Sequence, residues 1–302
     1  MLKFESEQKV YDIGEIKMGG QPGEYPTVLI GSIFYHGHDI VTDEKAGDFD
    51  KEKAEALLKK EEAVSETTGN PRIVDVCSAW PRSFDKYIEY VAEHIEGPFT
   101  IDGTTSSVRI AGLKYVEEVG LGERVIYNSV QPQIKDDEIM AIKDAKINSA
   151  ILLTYNAKNP TIQGRLESLD SVLSVAKQAG IENCLIDVAV LDKPDPGPIS
   201  KCIHLVKERY GLPAGAGSHN AVATWAEQRN LDKNKRLMAL SVANALPISF
   251  GADFILYGPI HNAKYAYFHT AFADACVAFS MMQEYGIKPA NRSHPLFRIF
   301  RE

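Results

Sequence analysis

Apolar runs alternate with amphipathic stretches along most of this chain. The runs have the length of β-strands and occupy residues 27–34, 72–77, 99–102, 124–128, 148–155, 183–187, 213–217 and 252–257. Several are apolar at successive positions, which is typical of parallel strands buried on both faces. Segments with helical spacing follow them at 50–67, 81–95, 106–119, 136–145, 166–179, 199–210, 220–229 with 233–247, and 262–285. Eight strand–helix units in 302 residues predict a (β/α)8 TIM barrel.

A doubly wound α/β sheet is the alternative fold. It has about five to seven strands and usually carries a G-x-G-x-x-G turn after the first one. The first apolar run here ends at Phe34 and continues to His38 without that motif. Before the first run, residues 10–13 and 15–18 flank Gly14 and predict a short hairpin that caps the barrel. No linker or internal repeat interrupts residues 1–302, so we expect a single domain.

Composition narrows the class of protein. With 44% hydrophobic and 25% charged residues the chain is typical of globular proteins, and its net charge of −8 argues against a nucleic-acid partner. The four cysteines are far apart and form no C-x-x-C pair, which favours buried reduced thiols in a reducing compartment. No signal peptide and no apolar run of about 20 residues is present, so we expect a cytoplasmic protein without direct membrane insertion.

Polar side chains follow the apolar runs at the points where the strands should end. The carboxyl ends of barrel strands converge on one pocket, and functional groups are placed there. Asp and Asn at such positions can also simply cap the following helices. Several carboxylates and amides around one rim favour a binding site over capping alone. The candidates are His36, His38, Asp102, Asn128, Tyr155, Asn156, Asp187, Ser218, His219, Asn220 and Asn262.

Two simpler chemistries are conceivable at this rim. His36 and His38 have the spacing of a metal pair. The fifth and sixth strand ends offer Tyr155, Asn156 and Asp187, and the eighth ends in Tyr257-Gly258, which leaves a zinc shell incomplete. We therefore expect no metal in this chain. The small residues 214–217 before Ser218 could cradle a phosphate or let the backbone approach a flat ligand closely. No lysine or arginine accompanies them.

The residue types at the rim suit a flat heterocycle. Carboxylates such as Asp102 and Asp187 accept hydrogen bonds, whereas the carboxamides of Asn128 and Asn220 both donate and accept. Adjacent N–H donors and a carbonyl acceptor on one ring edge, as in a pterin, would satisfy this set. The residues therefore predict a pterin-like ligand.

Several motifs resemble one known family over almost the whole chain. They are GGQPGEYPTVLIGSIFY at 19–35, GNP at 69–71, VIYNS at 125–129, NSAIL at 148–152 and GADFILYGPI at 251–260. These resemble the H subunit family of tetrahydromethanopterin S-methyltransferase, including its soluble bacterial branch that acts on tetrahydrofolate in glycine betaine demethylation. The resemblance implies a pterin-binding TIM barrel.

The resemblance also implies a reaction. A methyl group would move between a corrinoid protein and N5 of a reduced pterin, here expected to be tetrahydrofolate or 5-methyltetrahydrofolate. Asp102 and Asn220 would be catalytic, and the pterin would contact Asp102, Asn128, Tyr155, Asn156, Asp187, Ser218 and Asn220. Two departures from the family pattern, Ile101-Asp-Gly-Thr104 and the prolines of the loop at 191–198, leave the identity of the pterin open. The alternative is the H subunit of a tetrahydromethanopterin:coenzyme M methyltransferase complex.

The partners follow from the same resemblance. The corrinoid would arrive on a partner protein, with the rim loops at 35–43 and 191–198 as docking elements, and relatives suggest a homodimer. Two rivals remain: a dihydropteroate synthase, which would want Lys or Arg at the ends of the last two strands, and a non-catalytic subunit that binds pterin or corrinoid. Neither strand end carries such a cation.

Overall fold

Eight parallel strands close into a barrel in the computed structural model, which describes residues 3–190 and 195–300. The barrel strands are β3 (Val28–Ile33), β6 (Arg72–Ser78), β7 (Phe99–Gly103), β8 (Val125–Val130), β9 (Ser149–Leu153), β10 (Asn183–Asp187), β11 (Ala214–Ala216) and β12 (Phe254–Pro259). They pair in chain order, and β12 closes the ring by pairing with β3. The predicted (β/α)8 barrel is therefore confirmed.

Helices connect successive strands on the outside of the barrel. They are α1 (Lys51–Thr68), α2 (Pro81–His94), α3 (Ser106–Val119), α4 (Asp136–Asp144), α5 (Ile162–Ala179), α6 (Pro196–Tyr210), α7 (His219–Gln228), α8 (Lys233–Ser249), α9 (Ala263–Tyr285) and α10 (Pro295–Ile299). Two helices, α7 and α8, lie between β11 and β12, as the sequence predicts. Among the described residues, no helix has the length and apolar character that crossing a bilayer requires.

Helix ends coincide with capping residues that the sequence makes visible. The Asp50 carboxylate accepts a hydrogen bond from the Lys53 N–H at 3.1 Å and so begins α1. Gly69 ends α1 with a φ of 84°, and a Cβ there would lie 1.9 Å from the Ser293 carbonyl oxygen. This position therefore requires glycine on two grounds.

Two small hairpins lie outside the barrel. The first, β1 (Val10–Ile13) with β2 (Ile16–Gly19), matches the predicted cap. Its Ile13 and Met18 pack against residues near the beginnings of the barrel strands, so it closes the amino end of the barrel. The second, β4 (Val41–Asp43) with β5 (Asp48–Phe49), and the short helix α10 were not predicted. Neither contains an apolar run long enough to stand out in the sequence.

The barrel interior has two layers of opposite character. Alternation along each strand places Val28, Ile30, Ile73, Ile126, Ile151 and Leu185 together in an apolar layer against the hairpin. The next residues of the same parity, toward the carboxyl ends, are Ser32, Asp75, Asn128 and Asp187. The side chains at the alternate positions of each strand point outward and pack against the helices in the main core. The polar layer of the barrel therefore lies at its open end.

A buried carboxylate, Glu61, lies outside the barrel between α1 and α9. Its side chain is fully enclosed, and the Tyr257 hydroxyl donates to its Oε1 at 2.5 Å. The Arg72 guanidinium is 3.9 Å from its Oε2. Burial raises the pKa of Glu61 to about 7. Gly31 makes room for this contact, because a Cβ there would lie 2.0 Å from the Tyr257 hydroxyl oxygen.

The buried Glu61 predicts a pH-dependent stability. In the unfolded chain a Glu ionises near pH 4.3, so the folded state binds the extra proton between about pH 4.3 and 7, and stability falls as pH rises through that window. We expect Glu61→Gln to leave the free energy of unfolding little changed at pH 5 and to raise it by roughly 2–3 kcal/mol at pH 8. Urea unfolding followed by circular dichroism measures this, with the neighbouring Glu62→Gln as the exposed control. Equal effects at both pH values would contradict it.

Candidate functional site

The pairing register brings the polar strand residues to one level at the open end. Cys77 is paired with Asp102 across β6 and β7, and Asp102 is paired with Asn128 across β7 and β8. Ser32 is paired with Asp75 on the neighbouring pair of strands. These residues, together with Asp187 from β10, line the barrel mouth from several directions. The structure therefore joins Asp102, Asn128 and Asp187, as the sequence analysis predicts.

Asp75 lies at the centre of this cluster and accepts hydrogen bonds from several of its members. The Ser32 hydroxyl donates to its Oδ2 at 2.7 Å, and the Asn128 amide donates to its Oδ1 at 3.2 Å. The Thr100 hydroxyl donates to the same Oδ1, and the Cys77 thiol lies 3.3 Å from Oδ2. Asp75 is buried. Its two oxygens are thus already occupied by donors from four positions, so it organises the other side chains.

Asp75 is not among the site residues predicted from the sequence. The residue lies in the middle of an apolar strand, three positions before the strand end where functional groups are expected. A carboxylate flanked by Val74 and Val76 was the available signal, because acids are almost never buried without partners.

Asp102 holds its proton unusually tightly. Burial and the neighbouring Asp75 carboxylate raise the pKa of Asp102 well above the usual range of a carboxyl group, and the Arg109 guanidinium opposes that rise. Its side chain still reaches solvent in part. A carboxyl group that is protonated near neutral pH and open to the mouth can donate a hydrogen bond or a proton.

Asp187 and Asn128 offer acceptors on the other sides of the mouth. The Asp187 Oδ1 accepts a hydrogen bond from the Ala189 N–H at 2.9 Å, and burial raises the pKa of Asp187 to about 6. Asn128 donates one N–H of its NH2 group to Asp75, so its carbonyl oxygen and its second N–H can be offered to a ligand. At neutral pH, Asp187 is a carboxylate with acceptor capacity to spare.

The turn from β11 into α7 carries Ser218, His219 and Asn220. Ser218 is fully buried, and its hydroxyl has no hydrogen-bond partner among the described residues. His219 Nδ1 lies 2.8 Å from the Leu256 carbonyl oxygen and donates to it, so Nε2 can act as an acceptor. Gly258 allows this placement, because a Cβ there would lie 2.5 Å from the His219 ring. Asn220 is exposed at the start of α7.

Tyr155 and Asn156 lie in the turn after β9, which ends two residues earlier than predicted. Tyr155 is 43% exposed. The Asn156 carbonyl oxygen accepts from the backbone N–H groups of Lys158 and Asn159 at 3.1 and 2.9 Å, and its NH2 donates to the Gly164 oxygen. Asn156 therefore shapes this turn, and its contact with a ligand stays a prediction.

The histidines after β3 are held by protein groups. Nδ1 of the exposed His36 lies 2.9 Å from the half-buried Glu44 carboxylate. His38 accepts the Phe34 N–H at 3.1 Å and stacks on Tyr35, and burial lowers its pKa to about 4. The Nδ1 atoms of both histidines thus have partners within the loop, whereas the buried His38 Nε2 has no hydrogen-bond partner among the described residues. The described residues also include one group of side chains that could bind a metal ion, in which one atom each of Asp75, Cys77 and Asp102 lies within 4.8 Å of the others. Both Asp75 oxygens already accept hydrogen bonds.

A cavity of about 280 Å³ opens beside the polar cluster, between the ends of β3 and β12 and the α7–α8 pair. Ser32, which bonds Asp75, forms part of its wall. Other lining residues include Tyr35, His219, Arg236, Gly258 and Asn262. Asn262, predicted at the rim, thus lines this side of the mouth, and the acids lie on the other.

Sequence comparison places this geometry in a family. Residues 6–290 match the family described as the tetrahydromethanopterin S-methyltransferase MtrH subunit. The H subunit of that enzyme from Methanothermobacter thermautotrophicus is 41% identical over 312 residues, covering 99% of this chain and 100% of that protein. The H subunit of the putative methyltransferase mtx from Methanosarcina barkeri is 38% identical over 309 residues, covering 98% and 99%.

Solved structures with a similar fold are dihydropteroate synthases. The Yersinia pestis enzyme with a pterine-sulfa conjugate has a TM-score of 0.62 at 12% identity, covering 89% of this chain and 99% of that one. The Coxiella burnetii enzyme in complex with pteroic acid has a TM-score of 0.59 at 18% identity, covering 84% and 94%. At these identities the likeness shows the barrel fold alone. The full-length sequence match goes further, and this chain belongs to the family of the tetrahydromethanopterin S-methyltransferase MtrH subunit.

Proposed function

We propose that this chain transfers a methyl group between N5 of a reduced pterin and the cobalt of a corrinoid carried by a partner protein. The observation that carries the proposal is the convergence of Asp102, Asn128 and Asp187 on one barrel mouth in a chain of a methyltransferase family. The dihydropteroate synthases of similar fold, two of which were solved with a pterine-sulfa conjugate and with pteroic acid, support the same ligand class.

The residues match the edge of a pterin by their hydrogen-bond character. The ionised Asp187 accepts from the amino group and ring N–H of the pyrimidine, and the Asn128 carbonyl oxygen accepts beside it. Asp102, when protonated, donates to a ring nitrogen or carbonyl oxygen. The unpaired Ser218 hydroxyl and the predicted contacts of Tyr155 and Asn156 complete the proposed set.

The chemistry requires a proton at N5. When the methyl group leaves N5, the electron pair of the broken bond stays on nitrogen, and a pair from cobalt forms the new bond to carbon. The nitrogen is a far better leaving group when it has been protonated. The raised pKa of Asp102 lets it hold that proton near neutral pH and pass it on directly or through a water molecule.

Asn220 is proposed to act at the same nitrogen. Its side chain is exposed in the first turn of α7, the helix that follows β11 at the open end of the barrel. A carboxamide presents either its oxygen or its NH2 group, so it can follow N5 through protonation by turning. The protein otherwise contributes by holding the reacting groups in line, which can lower a barrier by roughly 7–11 kcal/mol.

The pterin is proposed to be tetrahydromethanopterin. The sequence analysis expected tetrahydrofolate, as in the glycine betaine branch, but relatives that match over their full length are named for tetrahydromethanopterin. The Methanosarcina barkeri relative is named only as a putative methyltransferase and does not decide between them. Tetrahydrofolate is therefore the comparison ligand for the test.

The partner proposed to hold the corrinoid must reach the open end of the barrel. The loop at 35–43 lies at this rim and contains the start of the unpredicted β4–β5 hairpin, which supports its proposed docking role. Of the second predicted element, 191–198, residues 191–194 lie outside the described part of the chain. Location in the cytoplasm remains a prediction.

A homodimer is proposed from the resemblance and from the outer face of α9. Phe268, Phe272 and Phe279 are each more than half exposed and lie on this helix at spacings of four and seven residues. Aromatic side chains exposed along one helix face are typical of protein interfaces. The second copy would cover this stripe and leave the barrel mouth free.

The reaction itself is testable with soluble substrates. We expect the purified protein to transfer methyl from 5-methyltetrahydromethanopterin to cob(I)alamin, with a kcat/KM at least about tenfold above that for 5-methyltetrahydrofolate. Loss of the cob(I)alamin absorbance under anaerobic conditions reports the transfer. A preference for the folate would restore the sequence-based expectation, and pterin binding without transfer would indicate a non-catalytic subunit.

Asp187 should anchor the pterin through its charge. We expect Asp187→Asn to weaken pterin binding about 10- to 100-fold, because a hydrogen bond to a charged group contributes about 1.5–3 kcal/mol. Wild-type affinity should fall as pH drops below about 6, where Asp187 is protonated, and the variant should be flat between pH 5 and 7. Calorimetry measures both, with the outer-surface Asp170→Asn as control. An unchanged affinity would remove Asp187 from the binding site.

Asn220 should matter more for turnover than for binding. We expect Asn220→Ala to lower kcat about 10- to 100-fold while changing the pterin Kd less than about threefold, because its contact strengthens as N5 changes protonation. Stopped-flow kinetics and calorimetry separate the two quantities. Asn234→Ala, an exposed amide on α8, is the control. The reverse pattern, weak binding with normal turnover, would assign Asn220 to ground-state binding.

A further inference from the structure

Two arginines, of which Arg165 is buried and Arg109 largely buried, lie behind the two acids of the mouth. Arg109 lies on α3, close to Asp102, and Arg165 lies on α5, close to Asp187. Each is ion-paired with a buried carboxylate, Glu138 or Asp195. Each also donates to a backbone carbonyl within two residues of the acid it faces. The two arrangements have the same construction although they lie on different helices.

Arg109 fixes the end of β7. Its Nη1 donates to the Gly103 carbonyl oxygen at 3.0 Å, directly after Asp102. Its Nε and Nη2 donate to the two Glu138 oxygens at 2.7 and 3.2 Å, which is a two-pronged ion pair. A Cβ at Gly103 would lie 2.6 Å from Arg109 Cγ, so the strand end and the side chain are in close contact. Tyr127 and Ser106 each donate a further hydrogen bond to Glu138.

Arg165 fixes the segment after β10. Its Nε and Nη2 donate to the Ala189 carbonyl oxygen at 3.3 and 3.2 Å, and Nη2 also pairs with Asp195. Ala189 is the residue whose N–H donates to the Asp187 carboxylate at 2.9 Å. Arg165 therefore holds the backbone group that orients Asp187.

Both arginines also act on the charge of the acids. Asp102 faces Asp75 and Cys77 from β6 and Arg109 from α3, and of these only Arg109 favours the ionised form. β8 contributes the neutral Asn128.

Asp187 faces Arg165 from α5, with Asp195 behind the guanidinium, and its strand neighbours Leu153 and Gly215 carry no charge. In each case the burial of the acid raises its pKa and the arginine opposes the rise.

We propose that the Arg109–Glu138 and Arg165–Asp195 pairs are positioning devices that hold the two acids in place and set their charge. Structural stability alone explains them less well, because a buried ion pair rarely stabilises a fold more than a well-packed apolar pair. The inference rests on the proposed function, since it concerns the acids that bind the pterin. A third buried pair, Lys207–Asp253, lies at the amino end of the barrel and touches neither acid.

The third pair provides a matched control. The double variants Arg109→Met/Glu138→Gln and Arg165→Met/Asp195→Asn remove each charge pair without leaving one charge buried alone. We expect the Arg165 double variant to move the acid limb of the pterin-binding pH profile, where Asp187 is protonated, upward by about one pH unit. The Arg109 double variant should move the alkaline limb, where Asp102 loses its proton, upward by a similar amount. Lys207→Met/Asp253→Asn should leave the profile unchanged. Calorimetry with tetrahydromethanopterin between pH 5 and 9 measures all three.

Single Arg→Lys variants at positions 109 and 165 separate charge from position. Lysine keeps the charge but lacks the planar fork, so we expect normal pH midpoints with about tenfold weaker binding. These Lys variants test the proposed positioning role if a double variant does not fold. Unchanged affinity and midpoints in the Lys variants, or profiles of the folded double variants that match the control, would overturn the proposal.

Failure of the wild type to bind pterin would instead overturn the proposed function. The positioning role is then tested in the ligand-free protein, where ¹³C NMR titration measures the pKa of the Asp187 and Asp102 carboxyl groups. A rise in their pKa in the double variants supports it, and unchanged titrations refute it.

Discussion

The burial of carboxyl groups in the upper half of the barrel is the constraint on which the site depends. Removing a carboxylate from water is costly unless hydrogen bonds or opposite charges replace the lost solvation. Asp75 meets this requirement with hydrogen bonds from neighbouring strands, including those of Ser32 and Asn128. Because these donors come from separate strands, the solvation of one acid holds the strand ends in register. The site and the closure of the barrel are thus stabilised together.

The three acids at the mouth differ because their surroundings differ. Asp75 is surrounded by donors, Asp187 has a backbone N–H, and Asp102 faces another carboxylate. The capacities of Asp187 and Asp102 to carry charge are therefore separated although the residue type is the same. Groups of one type whose environments push their pKa values apart are a common basis for acid and base roles. In the proposed reaction Asp187 is the fixed anion and Asp102 the proton carrier.

The fold was largely predictable because its signals are local. Apolar runs mark buried parallel strands, and residues such as Asp50 and Gly69 cap helices through contacts within a few positions. Asp102, Asn128 and Asp187 were found because strand ends are the expected places for function. Asp75 and Arg109 were not found, because their roles come from partners on other elements. Thr100 and Ser32 meet Asp75 only once three strands are paired, and no pattern within one segment records that.

The hairpin β1–β2 has a consequence for the order of events in the proposed reaction. Ile13 and Met18 close the amino end of the barrel, so within the described part of the chain the polar layer opens toward the carboxyl end. A pterin bound on that layer and a corrinoid protein docked above it would therefore use the same entrance to the barrel. In the proposed reaction the small molecule would then enter before the bulky partner docks and leave after it departs, so departure of the partner would limit each catalytic cycle.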